Sequence, residues 1–170
     1  MQKVFRIGLA ALAAGALLHV PSASRAQATA SITASATVAG ALTATNVRDL
    51  SFGTVIPGFT RTVTPSDATS GHFQIDGGVN SEVQVQFTAL PSDLTDGTNT
   101  LPITYTSTYN TADAGGSGTT FTPVAGVTTR LDAATGQLHI YIGGSIVVPA
   151  GQVAGLYQET ITLSASYTGN

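Results

Sequence analysis

Apolar and polar residues alternate strictly at both ends of the chain. Between 28 and 38 the even positions are Ala28, Ala30, Ile32, Ala34, Ala36 and Val38, and every odd position between them is Thr or Ser. Near the C-terminus Ile161, Leu163, Ala165 and Tyr167 alternate with Thr160, Thr162, Ser164 and Ser166. A period of two turns one face of a strand to a core and the other to water, as in an antiparallel sheet. The pattern predicts further strands over 49–55, 61–64, 72–75, 82–88, 101–109, 137–142 and 145–148. Turn chemistry separates them at Pro57-Gly58, Pro65-Ser66-Asp67, Asp76-Gly77-Gly78, Asp96-Gly97 and Pro149-Ala150-Gly151. No long amphipathic helix is visible. Many short strands divided by turns predict an all-β fold, an immunoglobulin-like antiparallel β-sandwich with Greek-key connections. The stretch 110–118 (NTADAGGSG) is small, polar and Gly-rich, and reads as a mobile surface loop. DATSGHFQI (67–75) and DAATGQLHI (132–140) echo each other. Repeated turn chemistry and two equivalent corners of a pseudo-symmetric sandwich both account for the echo.

The first residues change the domain count. Lys3 and Arg6 precede an apolar run over 7–20, which Pro21 breaks, and Ser24-Arg25-Ala26 supplies a small-residue cleavage site. This is the pattern of a secretory signal peptide over 1–26, too short for a comfortable membrane span. The mature chain, 27–170, is one domain. It keeps Arg48, Arg61 and Arg130 against nine acids, and has no Lys, Met, Cys or Trp. An acidic chain without a basic face is a poor partner for nucleic acid or anionic lipid. Without cysteine there is no disulfide, so the fold stands on its core. The expected location is the periplasm, the cell surface or the extracellular space, with no membrane insertion after cleavage.

Candidate chemistry is sparse. His72 and His139 sit at outward positions beside inward Phe73 and Leu138. A zinc site wants three or four ligands. The two strands can be neighbours and Asp76 can join them, but the expectation is two surface histidines, with no metal and no cofactor. Ser117 lacks the G-x-S-x-G elbow, because Thr119 stands where its last Gly would be. The carboxylates Glu82, Asp93, Asp96, Asp113, Asp132 and Glu159 are scattered over turns and strand starts, which argues against an acid–base pair. Asp93 to Asn99 departs from the spacing of an EF-hand loop, so an ordinary Asp-Gly turn is expected. Tyr141 and His139 share an outward face, which makes them the candidate contacts for a glycan. No catalytic set emerges, and we expect no enzyme.

Two segments carry a resemblance. Leu50-Ser-Phe52-Gly53-Thr-Val55-Ile-Pro57-Gly58 forms one. The other runs from Gly143 through Pro149, Gly155 and Tyr157 to the closing Ile161–Asn170 stretch. Together they resemble the secreted bacterial family known as domain of unknown function 4402. The L-x-F-G-x-V-x-P-G motif and the G-x-Y-x-x-x-I-x-L ending are also similar, more distantly, to the spore-coat-U-like pilins of chaperone–usher systems. The resemblance implies an immunoglobulin-like sandwich at the cell surface. In such pilins a neighbour's alternating N-terminal strand fills a gap in each subunit. Those pilins usually carry a disulfide, which this chain cannot form.

Two roles follow as expectations. One is a surface structural subunit that assembles with copies of itself or related subunits, with a periplasmic chaperone as a further partner. Its assembly residues would be Ala30, Ile32, Ala34, Ala36 and Val38 on the donor strand. Phe52 and Gly53 would lie on the next strand, with Gly allowing close backbone approach, and Leu163 and Tyr167 would line the last. The other role is a monomeric module that binds glycan or a surface protein. Burying a large aliphatic side chain yields roughly 1.5–3 kcal/mol, while ordering a residue's backbone costs about 1–2 kcal/mol. With only Ile32 and Val38 large, the first strand must also hydrogen-bond to an open sheet edge. That edge belongs to its own domain or to a neighbour's; both stay open at this point.

Overall fold

The computed structural model describes residues 27–36, 38 and 40–169. The expected signal peptide, 1–26, lies outside the described residues. The chain divides into two units, 1–36 and 37–170. In the first, residues 27–36 form no strand and are exposed. The described residues of the second hold ten strands. They are β1 (Thr43–Arg48), β2 (Thr60–Val63), β3 (Gly71–Asp76), β4 (Glu82–Ala89), β5 (Asp93–Thr95), β6 (Thr100–Asn110), β7 (Thr119–Phe121), β8 (Val127–Arg130), β9 (Gln137–Val147) and β10 (Thr162–Tyr167). No helix occurs among the described residues.

The strands form two antiparallel sheets. The larger has the order β1-β3-β9-β6-β5, with β2 also beside β9 and β7 beside β6; the smaller has the order β10-β4-β8. Alternation explains how they pack. On β4, Val83, Val85 and Phe87 face inward; on β10, Tyr167, Ala165 and Leu163 stand opposite them. These meet Phe73, Ile75, Leu138, Ile140, Tyr109 and Phe121 of the larger sheet, and Leu131 closes the cluster. Sheet packs on sheet as a β-sandwich, as expected from period-two strands with one dry face.

The expected strands 61–64, 72–75, 82–88 and 101–109 correspond to β2, β3, β4 and β6. Three expectations need correction. The alternating 28–38 segment forms no strand over its described residues, because a face made mostly of Ala buries too little to order it. The 49–55 segment is no strand: β1 precedes it, and the motif itself is a loop whose Leu50, Phe52 and Val55 pack on a second cluster of Leu101, Ile103, Ile146 and Val148. Likewise 137–142 and 145–148 are not separate strands. β9 runs unbroken through Gly143-Gly144, because those glycines admit neighbouring backbone instead of turning the chain. A Cβ on Gly143 would lie 2.3 Å from the Val63 carbonyl oxygen, and one on Gly144 2.5 Å from that of Thr104. β1 and the short strands β5, β7 and β8 were not anticipated.

Tyr167 ties the last strand to the start of the domain. Its hydroxyl accepts a hydrogen bond from Gly78 N (2.7 Å) and donates to the Gly40 carbonyl (2.9 Å). Tyr167→Phe keeps the ring but leaves a partly buried amide unpaired. We expect a loss of roughly 1–3 kcal/mol, read as a lower urea midpoint at unchanged slope.

Candidate functional site

Two features stand out, one on each face of the larger sheet. The first is on the inner face. The smaller sheet covers only one half of β6 and β9. Over the other half lie loops in place of strands: the 50–57 motif and the 153–161 segment. They leave an apolar cleft of about 590 Å³, lined among others by Phe52, Val55, Leu94, Ile146, Leu156 and Tyr157. A second cleft of about 650 Å³, near Arg48, Phe73 and Ile142, shares Leu50, Gln158, Glu159 and Ile161 with it. Tyr105 packs on the same cluster. Its hydroxyl is buried with no hydrogen-bond partner among the described residues. Burial, and then the charge of Glu159, pushes its pKa up to about 12. β10 ends the smaller sheet, and among the described residues its outer edge pairs with no strand.

The structure places the assembly candidates as follows. Ala30, Ile32, Ala34 and Ala36 lie in the exposed 27–36 stretch; Ile32 is 96 % and Val38 92 % exposed. Leu163 and Tyr167 face the core from β10. Phe52 lies in the second cluster, its ring beside Gly144. The expectation for Gly53 is corrected. A Cβ there would meet nothing, so no close approach requires glycine; the residue is needed for its φ of +64° in a loop.

The second feature is on the outer face. The register pairs His72 with Tyr141 and Gln74 with His139, and places Thr108 beside Tyr141 and Asn110 beside His139. Their outward direction agrees with the alternation. Their exposure does not: His72 is 3 %, His139 4 % and Tyr141 1 % exposed. The expected surface histidines and glycan-contacting Tyr141 are therefore corrected. The cause is the 110–118 loop, which folds back over this face. Thr108 Oγ1 donates to the Gly116 carbonyl (2.8 Å) and Asn110 Nδ2 to that of Ser117 (2.9 Å). Gly116, at φ +83°, passes so close to Pro65 that a Cβ would lie 1.9 Å from its carbonyl oxygen.

Under the loop His72 Nε2 and His139 Nδ1 share a hydrogen bond of 3.1 Å. The Tyr141 ring stacks on His72 at 4.2 Å and 11°, and its hydroxyl donates to Asp113 Oδ1. That bond holds the Asp113 carboxyl below its ordinary range. Burial foremost, then the bond to Asp113, pushes Tyr141 up to about 12. Burial lowers the pKa of His72; the Asp113 charge opposes this, and His139 and Arg48 add to it. Arg48 itself binds Ser70, through Nε to the carbonyl (2.7 Å) and Nη2 to Oγ (2.9 Å). Asp113, and not Asp76, joins the histidines. The Asp76 carboxylate is held by Gln74 and Gln137.

The remaining carboxylates stay apart. Asp96 accepts from Thr98 N and from both Asn99 nitrogens, which lowers its pKa to about 2. Asp132 caps a turn through Ala134 N and Thr135 N. Glu82 pairs with Arg130 at 3.9 Å across β4 and β8, and Asp93 accepts from Ser92 Oγ.

Among the described residues no helix is long and apolar enough to cross a membrane. No curated protein matches the chain. One family does: the profile of the domain of unknown function DUF4402 matches residues 42–167, from just before β1 to the end of β10. The alternating 28–38 segment lies ahead of the matched residues. With well over half its length matched, the chain belongs to the DUF4402 family.

Proposed function

We propose that the chain is an exported, non-catalytic structural subunit of the cell surface. Its signal peptide is 1–26, its sandwich has immunoglobulin-like Greek-key connectivity, and it assembles by strand addition. In this reading residues 28–38 of one copy lie along the open edge of β10 in the next. One observation carries the reading: an incomplete inner face, floored by Leu101, Ile103, Ile146 and Val148, is covered by loops instead of a strand.

Three further features support it. The 28–38 segment has the alternation a donor needs, while its two large residues are exposed. Ile32 and Val38 stand about 20 Å apart along an extended strand, and β10, six residues long, ends its sheet. The orphaned Tyr105 hydroxyl packs on the cluster that floors the cleft, where an added backbone brings carbonyl groups. Four of the six inward donor residues are Ala, so backbone pairing to β10 supplies much of the association. An open edge beside an apolar cleft invites wrong pairing, so a periplasmic chaperone that shields it before assembly is the further partner this reading adds.

The test is light scattering on protein purified from the periplasm, before and after heating, with and without residues 27–38. The expected result is a ladder of multiples that heat dissociates and the deletion abolishes. A single species at monomer mass, or a ladder that survives the deletion, overturns the reading. A monomer would instead favour a ligand-binding module.

A further inference from the structure

We propose that His72, His139 and Asp113 form a binding site for a divalent transition-metal ion of the zinc class, which clamps the 110–118 loop to the outer face of β3 and β9. The three residues each offer one ligand atom, and these atoms all lie within 4.8 Å of one another. The two ring nitrogens already face each other at 3.1 Å. Tetrahedral zinc with ligands at about 2.0–2.1 Å sets its donors roughly 3.3 Å apart, so the imidazoles need little movement. Binding replaces the hydrogen bond between the rings: each nitrogen then presents a lone pair to the ion, and its proton sits on the other ring nitrogen.

The surroundings suit that role. Tyr141 stacks on His72 and holds Asp113 through its hydroxyl, so one side chain orients two ligands. Such outer partners fix ligand geometry in metal sites. Imidazole ligands select zinc-like ions over calcium or magnesium, which want oxygen. Two histidines and one carboxylate leave a fourth position for water. Arg48 is the opposing charge, but its guanidinium is bound to Ser70.

The clamp has a purpose in a chain without cysteine. Two ligands come from adjacent strands of the large sheet and the third from the loop, so an ion adds the tertiary link that a disulfide cannot supply here. Binding to the folded state alone also raises stability.

The experiment uses untagged mature protein, stripped of metal. This chain has no other histidine after the signal peptide and no cysteine, so the background is low. Zinc titrated by calorimetry is expected to bind one ion per chain and to raise the melting temperature, while calcium and magnesium do neither. Cobalt is expected to give the visible absorption of a tetrahedral site. Asp113→Ala, at an exposed position, removes one ligand and the acceptor of the Tyr141 hydroxyl and is expected to weaken zinc binding by more than about tenfold; His139→Gln is expected to abolish the cobalt spectrum. No zinc heat and no thermal shift in the unsubstituted protein overturns the site. So does undiminished binding in Asp113→Ala.

Discussion

Gly143→Ala is expected to destabilise the domain by about 3 kcal/mol. The new Cβ would lie 2.3 Å from the Val63 carbonyl oxygen and 2.8 Å from the Thr64 carbonyl carbon. These are backbone atoms, so no side chain can swing aside. The strain falls where β2 leaves β9. It also reaches the lid, because Pro65, next in the chain, is the residue on which Gly116 rests. Relief means parting β2 from β9 or lifting the 110–118 loop from His72 and His139. Gly151→Ala is the control. A Cβ there meets nothing within 4 Å, and its effect is expected within about 0.5 kcal/mol. Urea unfolding of both variants is the measurement. Equal midpoints would show that the 63–65 segment yields without cost.

The paired change Ile32→Asp and Val38→Asp is expected to abolish assembly while leaving the subunit's melting temperature unchanged. Both side chains are exposed in the subunit, so nothing in its own core is lost. In the assembled state each would be buried in the neighbour's cleft. Losing both forfeits roughly 3–6 kcal/mol at 1.5–3 kcal/mol per large aliphatic residue. That is about two to four powers of ten in the association constant, before the cost of burying two carboxylates. Light scattering at fixed concentration reads the outcome. Variants that form the same ladder as the parent would remove these residues from the donor role.

The two proposals fail separately. Zinc binding is read on the outer face of β3 and β9 and needs no second copy. Assembly is read on the inner face and needs no metal. A protein that binds zinc yet stays monomeric keeps the clamp and loses the strand addition.

Alternation by itself determined much of this protein. Val83, Val85 and Phe87 against Gln84 and Gln86, and Leu163, Ala165 and Tyr167 against Ser164 and Ser166, are inward and outward sets that follow from the strand period alone. The same rule turned His72, His139 and Tyr141 outward, and the absence of cysteine, with Arg48, Arg61 and Arg130 the sole Arg or Lys beyond residue 26, stands in the sequence directly. What alternation cannot encode is what covers a face. That depends on contacts between residues far apart in the chain, such as Gly116 on Pro65 and Asp113 on Tyr141. A Gly-rich polar loop reads as solvent-facing because its composition is local, yet hydrogen bonds from Thr108 and Asn110 fold it into a lid. The expected strands 137–142 and 145–148 stopped on either side of Gly143-Gly144; only the neighbouring strands at Val63 and Thr104 reveal two glycines required by crowding. The motif from Leu50 to Val55 looked like a strand because apolar Leu50, Phe52 and Val55 run up to the turn at Pro57-Gly58. Tertiary packing made it a loop over an unfinished inner face, since its side chains are held by Ile103 and Ile146 and its backbone belongs to no sheet.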